Sequence, residues 1–290
     1  CILSRNKDRM GLGDTTPEPS SLPPQVMTQN QGGNPFSFVV PTEFVELPSK
    51  GVFYRPNHPL HNQETLEVKQ LTAKEEDILT SRALLKKGVA LERVIASIIV
   101  DKSIDPNSLL VGDRNAILIS ARVSGYGNEY NTKITCPDCA EIQEYSFDLN
   151  ETFVYSGQDL KDNDAIRHED GTFTTTLPQT KVEVGFRLLN GADERALLQQ
   201  VEQARKKRRD ENAVTRQLRR IVTSVNGNEE QANINYVVDN MPSMDARHLR
   251  MVYKIATPNV DMTQTFACAE CDYEQDMEVP LTADFFWPDR

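Results

Sequence analysis

Four of the five cysteines stand in two pairs of one form, Cys136-Pro137-Asp138-Cys139 and Cys268-Ala269-Glu270-Cys271. Each pair lies between two strand-like runs. A CxxC in that setting aims both thiolates and several backbone N–H groups at one ion, as structural zinc sites do. Two such turns would supply the four sulfurs of a tetrahedral centre holding structural zinc. The second pair ordinarily follows the first by about 15–20 residues. Here 128 residues (140–267) intervene, so local spacing alone does not close the site.

Other chemistries of a CxxC stay in view. A thioredoxin-like redox pair needs its first cysteine at a helix N-terminus, which lowers the thiol pKa. After Cys139 the chain instead alternates Tyr145, Phe147, Leu149, a strand pattern. A disulfide within either pair would be strained, and two separate sites, each shared with a partner chain, are a further arrangement. The fifth cysteine is Cys1, which fits either a lipidated N-terminus or a start upstream of residue 1.

What would bring distant pairs together is an internal repeat. Cys136 and Cys268 differ by 132 positions, as do Cys139 and Cys271. The same ungapped shift pairs Asp113 with Asp245, Ile117 with Leu249, Val123 with Ile255, Ile134 with Phe266 and Gln143 with Gln275. It runs on through Leu149 with Leu281, Phe153 with Phe285 and Tyr155 with Trp287. Only six of these 43 pairs are identical, so the weight lies in the matched order of cap, helix face, cysteine pair and strand. The expected fold is α+β: two pseudo-symmetric halves from a duplication, roughly 64–155 and 181–287. Each half would be a strand/helix unit ending in a zinc-knuckle hairpin, joined at one four-cysteine site.

The elements that must position these residues follow from pattern. Residues 1–35 cluster Pro, Ser, Gln, Asn and Gly and read as an extended or disordered arm. The first α+β half spans 36–155, a linker 156–180, and the second half 181–290. Phe38-Val39-Val40, Phe44–Leu47 and Val52-Phe53-Tyr54 read as extended pieces around a turn at Pro48-Ser49-Lys50-Gly51. Thr65–Leu71 alternates as a strand. Thr72 and Glu75 form a capping box opening a helix to Lys86-Lys87, stopped at Gly88. Further helices are expected over Ala90–Val100 and from Asp113 to about Ser124, ended by Gly125. In the second half, Val182–Leu188 reads as a strand and two helical segments fill Ala192 to about Val225. A last helix, capped by Ser243 or Asp245, runs through Ile255.

Composition narrows the function. The 290 residues carry a net charge of −11, which argues against a surface that grips nucleic acid throughout. Apolar residues make up 38%, and no apolar run approaches the roughly 18 residues of a membrane span. One stretch opposes the global sign: Arg205, Lys206, Lys207, Arg208 and Arg209, with Arg216, Arg219 and Arg220 nearby. It reads as a solvated helix face, or as a docking surface for an acidic partner or nucleic acid. No aromatic residue interleaves the run, so base stacking has no support. The four histidines (His58, His61, His168, His248) are scattered, and phosphate-loop, dinucleotide, GxSxG and HExxH signatures are absent. Nothing in the sequence asks for an enzyme.

Several stretches resemble a known family. They are Leu47–Tyr54, Leu71–Leu79, Leu110–Ala116, the Cys136–Cys139 turn and Met241–Arg250. In combination they are similar to the T4-like baseplate hub proteins of contractile-tailed bacteriophages, over about residues 44–287. The resemblance implies a structural or assembly part of the baseplate hub, bridging other hub and tail proteins. It also implies a virion location after assembly in the host cytoplasm, and brings no catalytic residues. Two alternatives remain: a zinc-ribbon adaptor binding nucleic acid through a 205–220 helix, and a transient tail-assembly chaperone.

Overall fold

The structure is a computed structural model that describes residues 40–157, 165–207, 212–279 and 283–286. The expected arm at 1–35 therefore lies outside the described residues. The chain opens on β1 (Thr42–Glu46), which pairs antiparallel with β2 (Thr65–Lys69). Between them the chain turns at Pro48–Gly51, with Lys50 and Gly51 both left-handed (φ 48° and 71°). A Cβ on Gly51 would fall 2.3 Å from the Gln63 nitrogen, so that turn admits only glycine. Val52 and Phe53, expected as extended, belong to this turn. The backbone reverses there, and it is burial rather than pairing that selects the apolar side chains.

Helices α1 (Ala73–Thr80), α2 (Arg82–Lys87) and α3 (Ala90–Ile98) follow. The expected capping box of Thr72 and Glu75 opens α1, and Gly88 in the left-handed region ends α2. The single helix read over 72–87 breaks at Ser81, whose ψ of 103° is extended. α4 (Val111–Tyr126) starts before Asp113 and ends at Gly127 rather than Gly125. Gly125 stays helical, with its open side against Leu71. β3 (Glu129–Thr135) and β4 (Ile142–Asp148) then pair antiparallel, and β5 (Phe153–Tyr155) closes this part.

The segment expected as a linker, 156–180, carries β6 (Ala165–Arg167) and β7 (Thr172–Thr176). Its threonine-rich sequence conceals a strand alternation in which Phe173 and Thr175 are buried. The Phe173 ring stacks between Phe53 at 5.9 Å and Phe186 at 5.0 Å, at the centre of the core. With β8 (Glu183–Arg187), α5 (Gly191–Lys206), α6 (Ala213–Ile221) and β9 (Val222–Val225), a four-stranded sheet forms in the order β6-β7-β8-β9. α7 (Gln231–Asp239), α8 (Ser243–Ala256), β10 (Asn259–Asp261), β11 (Thr263–Ala267) and β12 (Glu274–Glu278) complete the chain, with β11 and β12 antiparallel. All these elements belong to one compact unit, Val40–Arg290.

Two buried carboxylates fix the turns that precede the long helices. Asp113, in the first turn of α4, accepts from the Ser49 N–H (3.0 Å), the Ser49 hydroxyl (2.6 Å) and the Tyr54 hydroxyl (2.6 Å). Asp245, in the first turn of α8, accepts from the N–H groups of Gln179 (2.8 Å) and Thr180 (3.0 Å). Both turns begin Leu-Pro, at Leu47-Pro48 and Leu177-Pro178, and each leucine is buried. The two parts also cross over. β5 pairs with β10, while the short turn Ala283–Phe286 returns to α4. There the buried Arg122 donates to the carbonyls of Phe285 (2.6 Å), Glu129 (2.8 Å) and Gly127.

Candidate metal centre

β3–β4 and β11–β12 each present a cysteine pair on the turn between their strands. Local bonds shape both turns alike. The Cys136 N–H donates to the Glu141 carbonyl and the Cys268 N–H to the Tyr273 carbonyl, each at 2.8 Å. Ala140 and Asp272, one residue past each second cysteine, are left-handed (φ 60° and 54°). This curls the backbone so that both sulfurs of a turn point the same way.

The four sulfurs lie within 4.8 Å of one another. Cys136 Sγ is 3.7 Å from Cys271 Sγ, and Cys139 Sγ is 3.8 Å from Cys268 Sγ. A tetrahedron with metal–sulfur bonds of about 2.3 Å has edges of about 3.8 Å. A disulfide would need about 2.05 Å. The donor set therefore fits one tetrahedral ion, and all four cysteines are free thiols. Both of these approaches join the first pair to the second and all four sulfurs lie together, so the arrangement is one centre and not two. Cys136 follows directly on strand β3, without the helix N-terminus that a thioredoxin-like thiol needs.

Ionisation follows the crowding. The Cys139 N–H holds the Cys136 thiol down to about 7, against the opposing effect of burial. At Cys271 the Tyr273 N–H pulls down, but burial and the three neighbouring thiols outweigh it and push the group up to about 12. Four sulfurs this close cannot all carry charge without a cation among them.

Side chains tie the two hairpins independently of the thiols. Gln143 donates to the Ala267 carbonyl (3.3 Å) and accepts from the Ala269 N–H (3.0 Å). Gln264 donates to the Asp148 carbonyl (2.7 Å) and accepts from its N–H (3.2 Å). Tyr145 donates to the Thr265 carbonyl at 2.8 Å, and its ring packs on Phe266 at 5.1 Å. None of these ties was legible in the sequence. A glutamine inside a strand carries no signal of what backbone it faces, although Gln143 and Gln275 stood out as an identical pair.

The basic residues do not form one helix face. Arg205 and Lys206 end α5 and Lys207 caps it, whereas Arg216, Arg219 and Arg220 lie on α6. Arg208 and Arg209 lie outside the described residues. Several of the cations are neutralised within the fold. Lys206 pairs with Glu202 at 3.7 Å, Arg219 with Asp239, and Arg220 with Asp193 at 2.8 Å. Asp193 also takes the two-pronged Arg187 guanidinium at 2.6 and 2.9 Å. Burial raises the Asp193 carboxyl, but Arg187 chiefly, and Arg220 with it, holds it below the usual range.

An α+β chain whose remote cysteine turns meet in a four-sulfur cluster is a candidate structural metalloprotein. Residues 42–287 match the family described as T4 bacteriophage base plate protein. The chain belongs to that family, which implies a place in the phage tail baseplate and contact with other baseplate proteins. No curated protein matches the chain. No solved structure matches it either. Among the described residues, no helix is long and apolar enough to cross a membrane.

Proposed function

We propose that this chain is a non-enzymatic part of the baseplate hub that bridges neighbouring tail proteins and carries one zinc ion. The ligands would be Cys136, Cys139, Cys268 and Cys271, and the ion would fix chain segments remote in sequence. The observation that carries this reading is the single cluster formed by sulfurs 132 positions apart. It is also the main support for two halves that arose by duplication and meet at their knuckle hairpins. The matched Leu-Pro turns with their buried aspartates support the same history. A rigid body stapled at long sequence separation suits a part that transmits load in a contracting tail. Pairing of Lys206, Arg219 and Arg220 with acids counts against the nucleic-acid adaptor.

Elemental analysis of protein purified without added metal should find about one zinc per chain. Four freely reactive thiols and no metal would end the zinc reading. Deleting the gene should leave heads intact while completed baseplates disappear, and the protein should be found in purified tails. Normal infectious particles from the deletion would sink the hub role. Its absence from finished tails would favour a transient chaperone instead.

A further inference from the structure

The same region of the fold is filled in one part of the molecule and open in the other. In the first part, α3 packs on α4, and Val94, Ile98, Leu118 and Ala121 are all buried. Next to them Arg122 holds the Phe285 carbonyl, and the Phe285 ring meets Tyr130 edge-on at 5.2 Å. In the second part, Arg250, Tyr253 and Lys254 stand 132 positions after Leu118, Ala121 and Arg122. With Gln217 and Ile221 of α6 and Val260 of β10 they line a cavity of about 630 Å³. Phe153 and Val154, which match Phe285 and Phe286, remain outside. Phe153 is 72% exposed, against 1% for Phe285.

We propose that this cavity is a docking socket for a segment of another baseplate protein in which an acidic residue precedes aromatic ones. The chain's own Phe285 and Phe286, buried beside Arg122 and preceded in sequence by Asp284, show the kind of segment the matching region takes. Apolar contact comes from Ile221, Tyr253 and Val260, and Tyr155 adds to it from β5, the strand paired with β10. Charge sets the direction. Arg250 and Lys254 lie one turn apart near the C-terminal end of α8, where they attract an acid. Asp261 and Glu278 line the strand side and repel it there. On a chain of net charge −11 this cationic wall is a local exception, which gives the socket selectivity. The donor's being a baseplate protein rests on the function proposed above, whereas the socket's chemistry does not.

The test uses the full, metal-loaded chain and a fluorescent peptide, Ala-Asp-Phe-Phe-Trp-Pro, copied from residues 283–288. Anisotropy should show saturable binding, weakened about tenfold or more when both phenylalanines become alanine, an apolar loss of the expected size. The exposed double substitution Arg250→Glu and Lys254→Glu should weaken it similarly without moving the melting temperature. A photo-crosslinker at the first phenylalanine should label α6 and α8. Equal affinity for the double variant, or crosslinks at Arg122 and Tyr130, would overturn the socket. So would a concentration-dependent dimer abolished by the same variant, because the occupant would then be a second copy. None of these readouts involves phage particles, so their failure leaves the baseplate role untouched.

Discussion

Asp113 and Asp245 occupy the same place in two helices and are both closed to solvent, yet Asp113 lies far deeper in the protein, and their surroundings push them in opposite directions. Asp113 receives two hydroxyls and one N–H, and burial outweighs those bonds, so its carboxyl is raised. At Asp245 burial also opposes charge, but the N–H groups of Gln179 and Thr180 prevail and the carboxyl is lowered. Two aspartates at matching places in two helices therefore need not share electrostatics. What the two share is the task of holding a Leu-Pro turn against the start of a helix. The cysteines differ from both, because their partners are one another and both pairs are needed equally.

The cysteine pairs give the largest expected effect and the strictest test of that equality. Cys136→Ser and Cys268→Ser should each abolish stoichiometric metal and lower the melting temperature by about 10 °C or more, as loss of a structural ion does. Metal content and calorimetry on both variants check this. Retention of the ion by one variant alone would mean that the halves contribute unequally.

Arg122 and Lys254 should separate widely. Arg122→Met orphans three carbonyls that share one buried guanidinium and releases the turn at 283–286. A loss of about 3 kcal/mol is expected in urea unfolding. Lys254 is exposed, and Lys254→Met should stay within about 0.5 kcal/mol. Similar losses for the two would erase the distinction between a filled site and an open one.

The aspartates predict opposite pH trends. For Asp245 the folded pKa is lowered, so its stabilisation is present above the unfolded carboxylate range and is lost as pH falls from there through the lowered folded pKa. The cost of Asp245→Asn should accordingly grow as pH rises through the acid range to about pH 4, and stay level above it at about 2 kcal/mol. For Asp113 the folded pKa is raised, so the unfolded state ionises first and the relative stability falls as pH rises. The cost of Asp113→Asn should therefore shrink as pH rises from about 4 toward 7, above the interval in which Asp245 acts. Melting temperatures of each variant relative to the parent, read across pH, decide it. Parallel slopes would refute the contrast.

How far the sequence could be read depended on whether a residue's role is set by its own chemistry or by its surroundings. Cysteines in CxxC have few alternatives, so the ligand set was legible, and the matched offset pointed to their meeting. The capping box at Thr72 was legible because its bonds are local. The strands at 165–176 were missed because threonine is polar in composition yet packs well on a pleated surface. Phe153 and Phe285 are identical in type and opposite in burial. That difference is set by the clamp of Arg122 and Tyr130 on Phe285, which leaves no mark within a few residues of either phenylalanine.

Gln143 and Gln275 carry the smallest effect and the finest form of the comparison. They are identical and 132 positions apart, on the second strand of each hairpin. Gln143 reaches across to the other hairpin and satisfies one carbonyl and one N–H beside Cys268. Gln275 accepts a bond from the Tyr273 hydroxyl at 2.9 Å, within its own strand and at the surface. Exposed amide bonds are each worth about 0.5–1 kcal/mol. Gln143→Ala should therefore cost about 1 kcal/mol, and Gln275→Ala only a few tenths at most. The Gln143 variant should also release its metal to a chelator faster, because a hairpin that loses a tie opens more often. Stability and chelator kinetics of the two variants, measured side by side, make the check. If Gln275→Ala matched Gln143→Ala in both, the hairpins would be held symmetrically, and the asymmetry between the halves would be confined to the aspartates and the α8 cavity.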